Sequence, residues 1–199
     1  MLSVIAVVTG YLLGSLSFSY LFGRWFKGID IREHGSGNAG ATNTLRVLGK
    51  KAAAAVLLLD AGKGVLAVWI GHWAASGNGW IAPLCGLAAV IGHNWPVYFG
   101  FRGGKGIATT IGVVATLSFW PTLIAGIAAI LVIAVTRYVS VGSLLFAALL
   151  PFLLYFMDRP KEVFAASIVI AVFAFIRHRS NLVKLATGRE NKLGGRKSM

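Results

Sequence analysis

The sequence predicts an all-α fold: a polytopic bundle of about seven membrane-spanning helices, with the amino terminus outside and the carboxyl terminus in the cytoplasm. The chain is 57% hydrophobic and only 13% charged, and its apolar residues form long uncharged blocks. Its net charge of +13 comes from Lys and Arg residues gathered between those blocks. A soluble globular domain rarely combines these features. A nucleic-acid-binding protein shares the basic balance but not the apolar blocks, so we expect no nucleic-acid partner.

The amino-terminal block, MLSVIAVVTGYLLGSLSFSYLFG, is predicted to be the first span. It has no basic stretch at its start and is too long for the hydrophobic region of a cleaved signal peptide. Gly10 and Gly14, followed by Ser15, Ser17 and Ser19, give this helix a small-residue face suited to close packing against another helix.

The remaining spans follow from the lengths of the apolar blocks, because a helix needs roughly 20 apolar residues to cross a bilayer. The block Ile107–Val135 is divided into two helices because Phe119-Trp120-Pro121 is a turn signal. Cys85, the single cysteine, lies inside an apolar block and is expected to be a small buried side chain. The proposed spans are 3–23, 53–75, 80–98, 106–119, 121–136, 141–157 and 162–177.

The distribution of basic residues predicts the orientation, because basic connections stay in the cytoplasm. Lys63 lies inside a span, and Arg159 and Lys161 lie in one connection on the opposite side. Every other Lys and Arg falls after the first, third or fifth span or in the tail, which includes Arg196 and Lys197. We expect one membrane-embedded domain over residues 1–199.

Four polar segments are predicted to lie at the cytoplasmic end of the bundle: HGSGNAGATNTLR (34–46), FRGGKGIATT (101–110), RYVSVGS (137–143) and RHRSN (177–181). In the first two, glycines precede a predicted helix start, where free amides and the positive end of the helix dipole favour an anion. Two glycine-rich loops that lead into helices therefore indicate phosphate binding.

Individual residues in these segments have simpler interpretations as well. Arg102 and Lys105 could only anchor lipid headgroups, but the three neighbouring glycines favour close approach of the backbone to a ligand. The segment is not a Walker loop, because Gly106 follows the lysine where Ser or Thr is required. His93 suits a structural hydrogen bond near a helix end. On the possible helix after the first loop, Thr42, Asn43 and Arg46 share a face by spacing.

The acidic residues narrow the chemistry. The carboxylates are only six, and no cluster of two or three is available to hold Mg²⁺. Asp60 and Lys63, spaced i,i+3 inside a span, are expected to neutralise each other. No histidine has an aspartate four or five residues later, and no serine is paired locally with a base. A site rich in cations and hydroxyls suits substrates that carry phosphate, and no metal or cofactor is expected.

Three motifs together resemble the bacterial acyl-phosphate-dependent glycerol-3-phosphate acyltransferases, the PlsY family. They are SGNAGATNTLR at 36–46, GHNWPVYFGFRGGKGIAT at 92–109, and HRSN at 178–181 running on to Gly188 and Glu190. The resemblance extends over essentially the whole chain. Lys184 and Arg189 depart from the family pattern, which leaves the roles of those two positions open.

The resemblance implies a multi-pass protein of the bacterial inner membrane, with its active site facing the cytoplasm, that transfers an acyl chain from acyl phosphate to glycerol-3-phosphate. Lysophosphatidic acid and phosphate are the products, and the donor's own phosphate accepts the hydroxyl proton. The resemblance also implies a monomer in contact with membrane lipids. It leaves open whether the soluble enzyme that makes acyl phosphate docks on this protein. The implied catalytic residues are Ser36, Thr42, Asn43, Arg46, Lys105, His178 and Asn181. The implied substrate-binding residues are Asn38, Gly103, Gly104, Gly106, Ser143, Arg137, His93 and Glu190.

Two other functions stay open on the residues alone. An anion transporter is supported by the net charge and by the echo between DAGKGVLA (60–67) and RGGKGIAT (102–109), since internal repeats are common in transporters. The second open function is an acyltransferase or phosphotransferase that uses another activated donor. Formation of a new ester-linked lipid, and competition between donors, would distinguish them.

Overall fold

The computed structural model describes residues 1–194, and its regular structure in that range is helical. Short 3₁₀ turns at Ile31–Glu33 and Val97–Phe99 accompany the α-helices. Arg196 and Lys197, which contribute to the basic tail, lie outside the described residues. The helices are α1 (Leu2–Gly14), α2 (Phe18–Lys27), α3 (Ala41–Leu48), α4 (Lys50–Ala74), α5 (Ile81–Asn94), α6 (Ile107–Leu117), α7 (Phe119–Thr136), α8 (Val139–Phe156), α9 (Lys161–Arg177) and α10 (Arg179–Ala186). The predicted all-α class is confirmed.

Four segments of the described chain are long and apolar enough to cross a membrane: Leu2–Lys27, Lys50–Ala74, Phe119–Thr136 and Val139–Phe156. The pair α9 and α10, bent by 56° at its junction, is a fifth if the two helices form one broken span. At 14 and 11 residues, α5 and α6 are shorter than a full span. A helix exists at each of the proposed positions, while the number seven and the orientation stay predictions.

The predicted division of the block Ile107–Val135 is confirmed, but the break lies earlier than expected. It falls at Ser118, whose backbone is extended, rather than at Phe119–Pro121. Pro121 lies in the first turn of α7, where its missing N–H removes no helical hydrogen bond. The proline therefore belongs to the start of the helix and not to the turn.

The described residues form two compact units, unit 1 (Met1–Leu117) and unit 2 (from Ser118). In unit 1, α1 packs on α5, and α4 packs on both α5 and α6. A Cβ at Gly10 would lie 2.7 Å from the Cys85 carbonyl oxygen, and one at Gly14 would overlap the backbone of Ala89. The small-residue face predicted for the first span is thus confirmed at its two glycines, and Cys85 is fully buried as expected.

The first span is interrupted between α1 and α2. Ser15 donates its Oγ hydrogen to the Tyr11 carbonyl oxygen at 2.9 Å, and Ser17 is extended at the start of α2. Such side-chain bonds compete with helix continuation. The interruption leaves the Leu16 carbonyl oxygen available to a side chain of another helix, and Lys63 donates to it at 2.6 Å.

In unit 2, α8 packs between α7 and α9. Close approach of α7 and α8 depends on Gly142, where a Cβ would lie 2.7 Å from the Ala129 carbonyl oxygen. The bend between α9 and α10 occurs at His178, which ends the first helix and begins the second. This bend turns the chain into the segment that carries Asn181 and Glu190.

Candidate active site

The serine–glycine loop, residues 34–40, is organised by the side chain of Asn43 in the first turn of α3. Asn43 is fully buried. Its Nδ2 donates to the carbonyl oxygens of Ile31 and His34, both at 3.0 Å, and its Oδ1 accepts from the Ser36 N–H at 2.8 Å. Both amide hydrogens are used within the protein, so Asn43 shapes this loop.

Gly35 is required by the same arrangement. Its φ is +64°, in the left-handed region that side chains rarely adopt. A Cβ there would also overlap Asn43 Oδ1. The first glycine of the motif therefore lets the chain turn closely around the asparagine amide.

Arg32 links this region to the glycine–lysine loop, residues 101–106. Its Nη1 donates to the carbonyl oxygens of Phe99 at 2.7 Å and Arg102 at 3.2 Å. Its Nη2 and Nε form a two-point ion pair with Asp30, with Nη2 2.8 Å from Oδ2. Hydrogen bonds from Arg32 lower the pKa of the Asp30 carboxyl below its ordinary value, so the pair stays charged at neutral pH.

The two loops meet at Gly104. The Gly104 N–H donates to the His93 carbonyl oxygen at 3.0 Å. A Cβ at Gly104 would overlap both His93 Nε2 and the carbonyl oxygen of Ala39 in the serine–glycine loop, and one at Gly103 would overlap the His93 carbonyl oxygen. Only glycine permits this approach, so the structure brings the two predicted phosphate-binding segments of unit 1 together.

The predicted residues of unit 1 differ in exposure. The helix predicted after the first loop is confirmed as α3, with Asn43 turned into the protein and Arg46 exposed. Lys105 is partly exposed on the loop before α6. The other predicted residues of this unit are exposed at Ser36, partly exposed at Asn38, Thr42 and Gly103, and buried at His93, Gly104 and Gly106.

In unit 2, Glu190 joins two elements through one carboxylate oxygen. Asn181 Nδ2 donates to Glu190 Oε1 at 2.7 Å, and the Ser140 hydroxyl donates to the same atom at 2.9 Å. Ser143 lies one helical turn beyond Ser140 on α8 and is also buried. The structure thus brings two predicted residues, Asn181 and Glu190, into direct contact beside the start of α8.

Arg137 anchors the chain that follows Glu190. It ends α7 in the left-handed conformation, with φ of 63°. Its Nε and Nη2 donate to the Leu193 carbonyl oxygen at 3.1 and 2.8 Å, and its own carbonyl oxygen accepts from the Leu193 N–H at 2.7 Å. Part of the guanidinium predicted to bind substrate is therefore engaged by the tail.

His178 is buried at the α9–α10 bend, with 3% of its surface exposed. Its Nδ1 lies 2.8 Å from the Ala174 carbonyl oxygen. A carbonyl oxygen only accepts, so Nδ1 carries the hydrogen and Nε2 is an acceptor in the neutral ring. In the neutral ring, the far side of the imidazole is therefore an acceptor rather than a donor.

Sequence reasoning missed Arg32 and Ser140 as organising residues. Ser140 could have been found, because it precedes the predicted Ser143 by three residues and shares its helix face. The link from Arg32 to Phe99 and Arg102 carries no local signal, since it joins residues far apart in the sequence.

The helices and the two loops define a polytopic integral membrane protein in which two glycine-lined loops meet at Gly104 of unit 1. The sequence model of the family described as Glycerol-3-phosphate acyltransferase matches residues 4–188. The chain belongs to this glycerol-3-phosphate acyltransferase family.

Individual relatives agree over nearly the full length. A glycerol-3-phosphate acyltransferase of Shouchella clausii (strain KSM-K16) is 56% identical over 196 residues, covering 96% of each chain. One from Thermoanaerobacter sp. (strain X514) is 46% identical, covering 98% of this chain and 97% of the relative.

Two solved structures share the fold. Both are of PlsY (YgiH), an integral membrane glycerol 3-phosphate acyltransferase, at 38% identity. The glycerol 3-phosphate form has a TM-score of 0.92 and covers 96% of each chain. The lysophosphatidic acid form has a TM-score of 0.89 and covers 96% of this chain and 95% of the other. The predicted resemblance to the PlsY family is confirmed.

Proposed function

We propose that this protein is a membrane glycerol-3-phosphate acyltransferase that takes its acyl group from an acyl phosphate and releases lysophosphatidic acid and inorganic phosphate. The observation that carries the proposal is the junction at Gly104, where two glycine-lined loops and Lys105 converge just before the amino terminus of α6. The names of the relatives and the two ligand forms of the similar structure support the acceptor and the product.

The reaction needs little beyond binding and charge stabilisation. The 1-hydroxyl oxygen of glycerol-3-phosphate attacks the acyl carbonyl carbon, and the carbon–oxygen bond to the donor phosphate breaks. The hydroxyl proton passes to the departing phosphate, giving an ester and hydrogen phosphate. Because phosphate is already a good leaving group, orientation of the acceptor and stabilisation of developing negative charge lower the barrier.

The described contacts suggest a division of roles in unit 1. We assign the phosphate hole to Ser36, Thr42 and the backbone of Gly103 and Gly104, with Lys105 as the nearby cation. Gly104 contributes by letting the two loops approach closely, because its N–H donates to the His93 carbonyl oxygen. Asn43 acts through the loop that it holds, since its two N–H groups are used by backbone carbonyls.

In unit 2, we assign the orientation of glycerol-3-phosphate to Ser143, His178 and Asn181. An acceptor at His178 Nε2 suits the hydrogen of a substrate hydroxyl. Glu190 holds the Asn181 amide in place. Arg46 of unit 1 is exposed and supplies further positive charge for a phosphate.

A transfer assay on purified protein in detergent tests the proposal. Labelled glycerol-3-phosphate is offered with acyl phosphate, with acyl-CoA or with no donor, in the presence of a chelator. Product only with acyl phosphate supports the donor and a reaction without metal. Equal use of acyl-CoA contradicts the donor, and no product from folded protein with any donor contradicts the enzyme activity and favours anion transport.

Substitution of Lys105 tests the residue most closely tied to the proposal. Lys105→Ala should lower kcat/KM by about 10²- to 10³-fold, because a cation that stabilises transition-state charge is lost. Lys105→Arg should also be poor, since the larger planar guanidinium does not replace an ammonium between glycines. Lys51→Ala, which removes an exposed lysine of α4, is the matched control. Activity of Lys105→Ala close to that control would remove Lys105 from the mechanism.

A further inference from the structure

Unit 1 contains a buried charged group that the proposed reaction does not use. Asp60 and Lys63 lie on α4 with 1% and 2% of their surfaces exposed, and Lys63 Nζ is 2.8 Å from Asp60 Oδ1. The expected neutralisation of these two residues is therefore confirmed. Charges inside a membrane segment are costly and mark functional positions by default.

Lys63 contacts two further groups in addition to its ion pair with Asp60. Besides Asp60 Oδ1, the Leu16 carbonyl oxygen lies 2.6 Å from Nζ and His93 Nδ1 lies 3.0 Å from it. The interruption between α1 and α2 supplies the first of these acceptors, and α5 supplies the second. Three helical segments thus converge on one ammonium group.

This arrangement favours one tautomer of His93. With Lys63 as an ammonium donor, Nδ1 accepts and the hydrogen of the neutral ring resides on Nε2. Asp60 Oδ1 is 3.5 Å from His93 Nδ1, farther than the lysine, and its negative charge is balanced by Lys63. The group is then neutral overall, with a neutral imidazole at its end.

The far side of that imidazole lies against the glycine–lysine loop. Nε2 occupies the space where a Cβ of Gly104 would stand, beside the Ala39 carbonyl oxygen. The His93 main chain also accepts from the Gly104 N–H. His93 therefore contacts the loop through both its ring and its backbone.

We propose that Asp60, Lys63 and His93 form a buried positioning group that fixes His93 as the Nε2–H tautomer and thereby holds the glycine–lysine loop in its phosphate-binding shape. Lys63 and Asp60 act through His93 and touch no substrate. The inference rests on the proposed function only for the identity of the phosphate substrates.

The wild-type protein offers a direct test that needs no active enzyme. Nitrogen NMR of histidine-labelled protein in detergent, with His93→Gln used to assign the signal, should show a neutral Nε2–H imidazole for His93. An Nδ1–H tautomer or an imidazolium at neutral pH would overturn the inference.

Variants test the connection to the loop. Lys63→Met keeps the length of the side chain but removes the donor to Nδ1, so the KM for a phosphate substrate and the inhibition constant of inorganic phosphate should each rise about tenfold. His93→Gln keeps a polar group near the Nε2 position, and His93→Asn keeps one near Nδ1. We expect the Gln variant to retain tighter phosphate binding than the Asn variant.

The control is Val68→Ala, which removes buried volume from the same helix, five residues beyond Lys63. Its melting temperature shows how much of any change follows from lower stability. Phosphate affinity of Lys63→Met within twofold of this control would overturn the inference. If the wild type bound inorganic phosphate but made no lysophosphatidic acid, the proposed function would fail, while the NMR result and the phosphate affinities would still decide this inference.

Discussion

The two buried histidines, one in each unit, have the same ring atom engaged by opposite partners. His93 Nδ1 faces the ammonium of Lys63 at 3.0 Å, whereas His178 Nδ1 faces the Ala174 carbonyl oxygen at 2.8 Å. The first contact leaves a hydrogen on Nε2, and the second leaves a lone pair there. In a neutral imidazole, the group that contacts Nδ1 therefore decides whether Nε2 donates or accepts.

The contacts that hold the chain near each histidine also differ. In unit 1, Arg32 and Asn43 donate to backbone carbonyls, so the loops are held by many bonds to main chain. In unit 2, side-chain contacts of Glu190 and Arg137 hold the chain after α10. We infer that unit 1 presents a preorganised phosphate site, while the orientation of the acceptor in unit 2 depends on individual side chains.

Substitution of His178 tests whether an acceptor at Nε2 takes part in the reaction. His178→Asn keeps a donor near the Nδ1 position, so the bond to Ala174 can persist while the Nε2 acceptor is lost. His178→Gln places an amide near Nε2 and sacrifices the bond to Ala174. We expect the Asn variant to fold but to lose about 10²- to 10³-fold in kcat, with the Gln variant less impaired.

Steady-state kinetics and melting temperatures of both His178 variants provide the measurement. If only a structural bond at Nδ1 mattered, the order would be reversed, and the Asn variant would be the more active of the two. An Asn variant with nearly wild-type kcat would show that the acceptor at His178 Nε2 has no part in the reaction.

Gly104→Ala tests the junction of unit 1. The added methyl would overlap His93 Nε2 and the Ala39 carbonyl oxygen, so the two loops must separate. We expect the KM for acyl phosphate to rise by about tenfold or more, because misplaced backbone donors bind phosphate poorly. Gly62→Ala is the control, since nothing lies within 4 Å of its added Cβ. Equal kinetics for the two variants would contradict a role for close loop contact.

The sequence is informative where function depends on local pattern. Long apolar blocks predicted the helices, and glycines before a helix start predicted α3 and the loop before α6. The i,i+3 spacing of Asp60 and Lys63 predicted their ion pair. Each of these features is determined by residues within a few positions of one another.

Features that depend on distant residues could not be predicted in the same way. Asn43 looked like a residue for substrate, but its amide is used by carbonyls that only the folded loop places nearby. Ser140 and Glu190 are separated by 50 positions, and no pattern joins them. His93 was predicted to make a structural hydrogen bond near a helix end, and the resemblance placed it among the substrate-binding residues. Neither prediction indicated that Lys63 and Gly104 lie on either side of its ring.

Substitution of Glu190 should give a smaller effect than the changes at His178 and Gly104. Glu190→Ala removes the acceptor shared by Ser140 and Asn181, so the Asn181 amide loses its fixed direction. We expect the KM for glycerol-3-phosphate to rise about 5-fold, because the hydrogen bond from Asn181 to Glu190 is lost. Glu190→Gln keeps an acceptor oxygen and should be milder.

Kinetics with varied glycerol-3-phosphate check this expectation, with Glu162→Gln in the first turn of α9 as the control for loss of one negative charge. An unchanged KM for Glu190→Ala would mean that Asn181 is held by other contacts.

The smallest expected effect is that of substituting Asp30, whose ion pair with Arg32 is partly exposed. Arg32 lowers the pKa of the Asp30 carboxyl in the folded protein. The ion pair therefore contributes stability above the unfolded pKa of about 4, and this contribution is lost as the pH falls through the lower folded value.

Asp30→Asn should destabilise unit 1 by about 1 kcal/mol at neutral pH, and the difference from wild type should shrink in acid. Melting temperatures between pH 7 and pH 3 measure this, with Glu33→Gln as the control for charge in the same loop. A difference that stayed constant down to pH 3 would mean that Asp30 acts through its position in the 3₁₀ turn, where its Oδ1 also accepts from the Arg32 N–H at 2.9 Å, and not through its charge.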